Sequence, residues 1–214
     1  MRSTAVHFRV MKTEPLPPRG QTAILIGAAT MLTLALGMRQ SLGLFQPEMI
    51  RTIGITTADF SLAVAVQNMV WGCTQPFTGA LVDRFGARWV AAGGAVCYGL
   101  GLLISIFATS PTLLTLGIGV LIGVALACTG SNLSMAITSR AVSAGRQSLA
   151  MGGVSAAGSL GLVFTSPLAQ GLISTAGWQV AMASFVALAC VMIPAALMAG
   201  GVDRISGSRV PVSY

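Results

Sequence analysis

Six long apolar runs, separated by short polar segments, are the feature of this sequence that most restricts its fold. The chain is 54% hydrophobic and only 8% charged, whereas an ordinary soluble domain has about 25% charged residues. So few charges cannot cover the surface of a soluble protein, and part of the solvent must be lipid. A helix needs roughly 20 residues to cross the hydrocarbon core of a bilayer. The runs therefore predict an all-α polytopic membrane protein with six transmembrane helices.

The predicted transmembrane domain covers residues 21–199, between a basic N-terminal tail (1–20) and a C-terminal tail (200–214). Ser110-Pro111 separates the third run from the fourth, and Gly177-Trp178 begins the sixth. The first apolar run has about 23 residues, which is too long for a cleaved signal peptide. The predicted helices are 21–44, 58–80, 89–108, 111–134, 147–169 and 176–199.

The lysines and arginines are distributed very unevenly between alternate loops. Of the 12 in the chain, ten fall on one side of the predicted membrane, Arg51 falls on the other, and Arg39 lies inside the first helix. Cytoplasmic loops carry the excess of positive charge, so both termini are predicted to be cytoplasmic. No basic stripe with interleaved aromatic residues occurs, which argues against nucleic acid as a partner. The ten are Arg2, Arg9, Lys12, Arg19, Arg84, Arg88, Arg140, Arg146, Arg204 and Arg209.

The apolar runs lack the residue types that membrane enzymes and metal proteins need. The cysteines Cys73, Cys97, Cys128 and Cys190 have no CxxC spacing and no histidine partner. The single histidine, His7, lies in the N-terminal tail, so an intramembrane Ser–His pair is excluded. We predict that the protein is not an enzyme and holds no metal or cofactor.

Small residues recur at helical spacing in the fourth and fifth predicted helices. Gly119 and Gly123 form one GxxxG pair, and Gly153, Ala157 and Gly161 form a stripe with one residue every four positions. Such stripes let helix backbones approach closely in a membrane. They fit general bundle packing as well as they fit a surface that slides or rocks.

The loop between the second and third predicted helices carries a compact pattern of glycine, acidic and basic residues. Its members are Gly79, Asp83, Arg84, Gly86 and Arg88. The glycines permit a tight reversal, and the arginines keep the loop on the cytoplasmic side. In residue types and spacing the loop resembles motif A of the major facilitator superfamily (MFS) of transporters.

The resemblance implies a gating role for this loop. Asp83 would help to hold the cytoplasmic side closed by pairing with a basic group nearby and with the N-terminal end of a helix in a second half. Arg140 and Arg146 are the candidate local partners. The alternative is a turn that serves topology only.

The end of the first predicted helix extends the resemblance. Residues 37–47 read GMRQSLGLFQP, which is similar to the first-helix pattern of bacterial monocarboxylate-transporter-like and oxalate:formate-antiporter-like MFS members. It implies a secondary transporter for small organic anions, such as mono- or dicarboxylates, in the bacterial inner (plasma) membrane. The fourth helix lacks a basic residue and the fifth lacks the full GxxxGPxxGG pattern, so a drug/proton antiporter is disfavoured.

Arg39 is the one charged residue well inside a predicted helix. A charge at such a depth costs about 2.5–3.5 kcal/mol on insertion scales, and it usually faces a cavity or a partner. No acidic residue lies in the interior of a predicted helix, and the planar guanidinium suits a carboxylate, so a bound anion is the predicted partner. The alternative is that Arg39 reaches the membrane interface and pairs with Glu48.

Polar residues in the second helix suggest the wall of a path for the substrate. Gln67, Trp71 and Gln75 are spaced four apart and share one helix face, and Asn68 is adjacent. Asn132 in the fourth helix is a weaker candidate. Interhelical hydrogen bonding explains the same residues equally well.

A complete transporter of the resembled family has two six-helix halves with the substrate between them. This sequence contains one such half. The partners predicted are the lipid bilayer, a small organic anion and a second half, supplied by another chain or by a homodimer. The alternative is a truncated or remnant half-transporter without transport activity of its own.

Overall fold

The computed structural model describes residues 18–204, with side chains from Gly20 to Asp203. This part of the chain consists of helices joined by short turns. The predicted tails fall mostly outside it, and so do Arg2, Arg9, Lys12 and His7. The helices are α1 (Pro18–Ser41), α2 (Gln46–Ile53), α3 (Thr57–Phe85), α4 (Ala87–Ile106), α5 (Pro111–Leu114), α6 (Ile122–Thr129), α7 (Ser131–Ala141), α8 (Gln147–Ala176) and α9 (Trp178–Ala199). A π-helical segment, Thr115–Leu121, joins α5 to α6, and 3-10 turns follow α1 and α9 and precede α8.

These elements form six long rods in the described part of the chain: α1 with α2, then α3, α4, the α5–α7 series, α8 and α9. Five of the rods are long and apolar enough to cross a membrane. The remaining rod, α3, has 29 residues, or about 43 Å at 1.5 Å per residue, but polar residues lower its hydropathy. The prediction of an all-α polytopic membrane protein is confirmed. Several helices extend beyond the predicted spans, so the helix ends do not mark where the chain enters and leaves the membrane. The exact membrane boundaries stay predictions.

Local sequence explains where the helices begin and end. Thr56 and Asp59 form a reciprocal capping box at the start of α3. The Ser110 hydroxyl accepts the Leu113 N–H at the start of α5, just before Pro111. Between α8 and α9 the chain reverses at Gly177, which has a φ of 88°, an angle that glycine adopts at low cost.

α1 packs tightly against α8 and α9, and α4 packs against α9. At the α1–α8 crossing, the Thr33 hydroxyl donates to the Ala157 carbonyl over 2.8 Å. Gly161 lies so close to the Thr33 backbone that an added Cβ would overlap its carbonyl oxygen. The small-residue stripe of α8 therefore serves helix packing at Ala157 and Gly161, while Gly153 faces open space.

The fourth rod is irregular, although one continuous helix was predicted over 111–134. The π-helical segment interrupts it, and a second break occurs at Gly130, whose backbone is extended. Gly119 and Gly123 touch α3: a Cβ on Gly119 would lie 3.1 Å from the Ala63 carbonyl oxygen, and one on Gly123 would lie 2.9 Å from that of Gln67. The rod continues to Ala141.

The helices alternate in direction, so the ends of α3, α7 and α9 meet the starts of α4 and α8 at one end of the bundle. We call it the basic end, after Arg84, Arg88, Arg140 and Arg146. Arg51 lies at the opposite end, where it pairs with Glu48 over 2.7 Å. Among the described side chains this is the only salt bridge.

Candidate functional site

Arg39 lies in the last turn of α1 and is held by two residues of α3. Its Nη2 donates to Asn68 Oδ1 over 2.6 Å, and its guanidinium carbon lies 5.0 Å from the centre of the Trp71 ring. Asn68 is oriented in turn, because its amide nitrogen donates to the Val64 carbonyl over 2.9 Å. Arg39 therefore lies between helices in a defined orientation, and not with Glu48, which pairs with Arg51.

The hydrogen-bonding capacity of Arg39 is not exhausted. Its Nε is buried and has no hydrogen-bond partner within the described residues, and a buried polar group without a partner costs free energy. The side chain borders a cavity of about 380 Å³ between α1 and α3. Gln40, Gln46, Ser61 and Gln67 supply the neutral polar part of the lining, and Arg39 is its one charged group.

The three residues of the predicted polar row on α3 have different partners. Gln67 is 1% exposed, and its Nε2 donates to the Ile118 carbonyl in the π-helical segment over 2.9 Å. Trp71 contacts Arg39. Gln75 Oε1 accepts from Asn132 Nδ2 over 2.6 Å. The row thus contributes interhelical hydrogen bonds, and at Gln67 it also lines the cavity beside Arg39.

A second cavity, of about 190 Å³, lies between α3 and α7 near the basic end. Its lining combines the Gln75–Asn132 pair with Gly79, Asp83 and Arg140. Asp83 and Arg140 are both exposed and face the same cavity, but within the described residues they form no ion pair. Within the part of the chain that the structure describes, Asp83 therefore keeps the capacity to accept a further partner there.

The other members of the predicted loop lie around the reversal from α3 to α4. The Arg84 guanidinium lies over the Phe85 ring at 5.3 Å, and that of Arg88 lies over the Trp89 ring at 5.8 Å. Gly86 has a φ of 87°. An L-residue rarely adopts this angle, which gives the glycine of the pattern a structural reason.

Sequence reasoning missed Asp203. Its carboxylate accepts the Ala87 N–H and the Arg88 N–H, each over 2.9 Å, although it was predicted to lie in a tail. No spacing rule pairs residues more than a hundred positions apart, so the sequence offered no signal. Among the described residues no group of three or more His, Cys, Asp or Glu side chains that could hold a metal occurs.

Comparison with known proteins identifies the family. Residues 25–209 match the model of the Major Facilitator Superfamily. The chain is 32% identical over 168 residues to monocarboxylate transporter 11 of Mus musculus, covering 78% of this chain and 37% of that protein. It is 31% identical over 185 residues to monocarboxylate transporter 13 of Rattus norvegicus, covering 86% and 42%.

Monocarboxylate transporter 4 of Gallus gallus is similar at 31% identity over 159 residues, which is 73% of this chain and 33% of the relative. The chain thus spans well under half the length of these relatives. The family match runs from residue 25, within the first predicted helix, past the last predicted helix and includes the loop around Asp83. The chain belongs to the Major Facilitator Superfamily of transporters.

Proposed function

We propose that this chain forms one half of a secondary transporter that moves a small organic anion, such as a mono- or dicarboxylate, by alternating access. The observation that carries the proposal is Arg39. It is a fixed cation beside a cavity with a partly polar lining, and within the described residues its Nε has no partner. A guanidinium donates through a planar fork that matches a carboxylate.

The surroundings of Arg39 suit the recognition of one carboxylate group of the anion. Asn68 and Trp71 hold the guanidinium without neutralising it, since neither carries a charge. Gln40, Gln46 and Ser61 offer donors and acceptors to the rest of the substrate. The related monocarboxylate transporters support this substrate class by their names alone.

Alternating access requires a second six-helix half, because the substrate of such carriers lies between two halves. The chain covers 33–42% of the three relatives described above. We propose that a second half packs against this one, as a continuation of the chain, a separate protein or a second copy. In this arrangement both termini are cytoplasmic, the location is the bacterial inner membrane, and Asp83 contributes to closing the cytoplasmic side.

Uptake of labelled lactate and oxalate into proteoliposomes tests the proposal. We expect uptake by assemblies that contain a second half. In the Arg39→Gln variant we expect the uptake rate to fall at least about tenfold, which corresponds to a loss of about 1.4 kcal/mol in the interaction with the anion. Arg39→Lys keeps the charge but loses the fork, so an intermediate rate is expected. Arg51→Gln is the matched control, because this arginine is exposed and within the described residues pairs only with Glu48.

Two results would contradict the proposal. Rapid uptake by preparations shown to be monomeric would refute the need for a second half. Absence of uptake in every assembly would favour a remnant half-transporter.

A further inference from the structure

The first turn of α4 has no cap of its own. Gly86 occupies the N-cap position without a side chain that can accept a hydrogen bond, and no acidic residue follows in the first turn. The first N–H groups of a helix have no partner within the helix, and the positive end of its dipole lies there. A carboxylate from elsewhere in the fold is the most effective partner for such an end.

Asp203 is this partner, and it comes from the 3-10 turn after α9. One carboxylate oxygen accepts the Ala87 N–H and the other accepts the Arg88 N–H, each over 2.9 Å. Gly86 leaves the space that the carboxylate needs, because a Cβ at Gly86 would lie 2.7 Å from Asp203 Oδ2. The glycine of the loop pattern thus serves both the turn and the approach of Asp203.

The backbones of the two segments are also in direct contact. A Cβ on Gly200 would overlap the Cα and Cβ of Arg88, so no side chain separates the end of α9 from the start of α4. Val202, next to the capping carboxylate, is buried at 1% exposure. The end of α9 therefore holds the residues just after Asp83 from one side, while the cavity shared by Asp83 and Arg140 lies on the α7 side.

We propose that Asp203 is the positioning residue for the reversal from α3 to α4 at Gly86: it fixes the start of α4 to the end of α9 and so holds Asp83, near the end of α3, toward Arg140. The consequence for gating rests on the function proposed for Asp83. The positioning by Asp203 does not depend on that function. In this arrangement the two acids have separate tasks. Asp203 fixes the start of α4 to α9 within the same six-helix half. Asp83 stays available for a partner at the cavity that it shares with Arg140.

Cross-linking in the full chain tests the positioning without any transport measurement. In a lipid nanodisc, with the four native cysteines replaced by serine, Asp83→Cys and Arg140→Cys are joined by a short bifunctional maleimide. Loss of two charge-assisted hydrogen bonds in Asp203→Ala is expected to lower the cross-linking rate about tenfold. Asp203→Asn keeps one acceptor oxygen and is expected to give an intermediate rate. Glu48→Ala, at the opposite end of the bundle, is the control and leaves the rate unchanged.

Hydrogen–deuterium exchange on the same variants separates a local effect from unfolding. Asp203→Ala is expected to raise exchange at the amides of Ala87 and Arg88 about tenfold or more, with no change at the α1–α8 crossing. Faster exchange with an unchanged cross-linking rate would overturn the positioning role and leave Asp203 as a helix cap only. Unchanged exchange would overturn the cap as well. If Asp203→Ala lowers the cross-linking rate as expected but Asp83→Asn has no effect on transport, the gating role of Asp83 is refuted and the positioning role of Asp203 stands.

Discussion

Replacing Gly161 with alanine tests the close approach of α8 to the backbone of α1 at Thr33. The added Cβ would lie 2.9 Å from the Thr33 carbonyl carbon and 3.1 Å from its Cα, where ordinary contacts are 3.4–4 Å. These are backbone atoms, so α1 and α8 must move apart. Overpacking of this kind costs about 1–3 kcal/mol. Such a shift would also weaken the Thr33–Ala157 hydrogen bond. Its loss adds about 0.6 kcal/mol to the destabilisation, the average for a hydrogen bond between membrane helices.

Gly153→Ala is the matched control, because it lies on the same helix and nothing is within 4 Å of its added Cβ. Alanine gains about 1 kcal/mol of helix propensity over glycine at either site. The free energy of unfolding is therefore expected to be about 1–4 kcal/mol lower in Gly161→Ala than in Gly153→Ala.

Thermal unfolding in detergent, followed by circular dichroism, measures this difference. For a chain of this size about 2–4 °C per kcal/mol is expected, so the Tm of Gly161→Ala should lie several degrees below that of Gly153→Ala. Equal Tm values for the two variants would refute the reasoning that this crossing depends on the absence of a side chain at Gly161.

Two further predictions concern α3. Gln67→Leu removes the hydrogen bond from α3 to the Ile118 carbonyl, so thermal unfolding should show a loss of about 0.5–1.5 kcal/mol; an unchanged Tm would contradict the role of this bond in the π-helical segment. Asp83→Asn, in an assembly with a second half, is expected to shift the conformational balance and so the maleimide labelling rate of Cys73 on α3. An unchanged labelling rate of Cys73 would argue against a gating role for Asp83.

The general fold was predictable because apolar length and charge distribution are properties of continuous segments. A run of about 20 apolar residues must span a bilayer as a helix to satisfy its own backbone. Breakers such as Ser110-Pro111 and Gly177 mark helix ends through local geometry, which a sequence displays directly. The prediction of an all-α membrane protein of the MFS is confirmed on this basis.

The π-helical segment could not be predicted in the same way. Its helix register differs from that of α5 and α6, and its Ile118 carbonyl is paired by Gln67 from another rod. Such a contact depends on how α3 lies against the fourth rod. After Thr115 this segment contains only glycine and apolar residues, which give no local signal for it.

The candidate site was predictable as separate residues but not as an arrangement. Arg39 was found because a charge in an apolar run is rare, and the polar row on α3 was found by its spacing. That Arg39 meets Asn68 and Trp71 follows only from how the bundle places the end of α1 within side-chain reach of α3. Asp203 was missed for the same reason, since its partners lie at the start of a distant helix.

Binding of an organic anion at Arg39 is the central claim, and the fluorescence of Trp71 tests it most directly. Trp89→Phe and Trp178→Phe leave Trp71 as the one remaining tryptophan of three, and its ring lies 5.0 Å from the Arg39 guanidinium. The account predicts a saturable change in emission with lactate, none with neutral lactamide, and none with lactate in Arg39→Gln. An equal response to lactate in Arg39→Gln would contradict the claim.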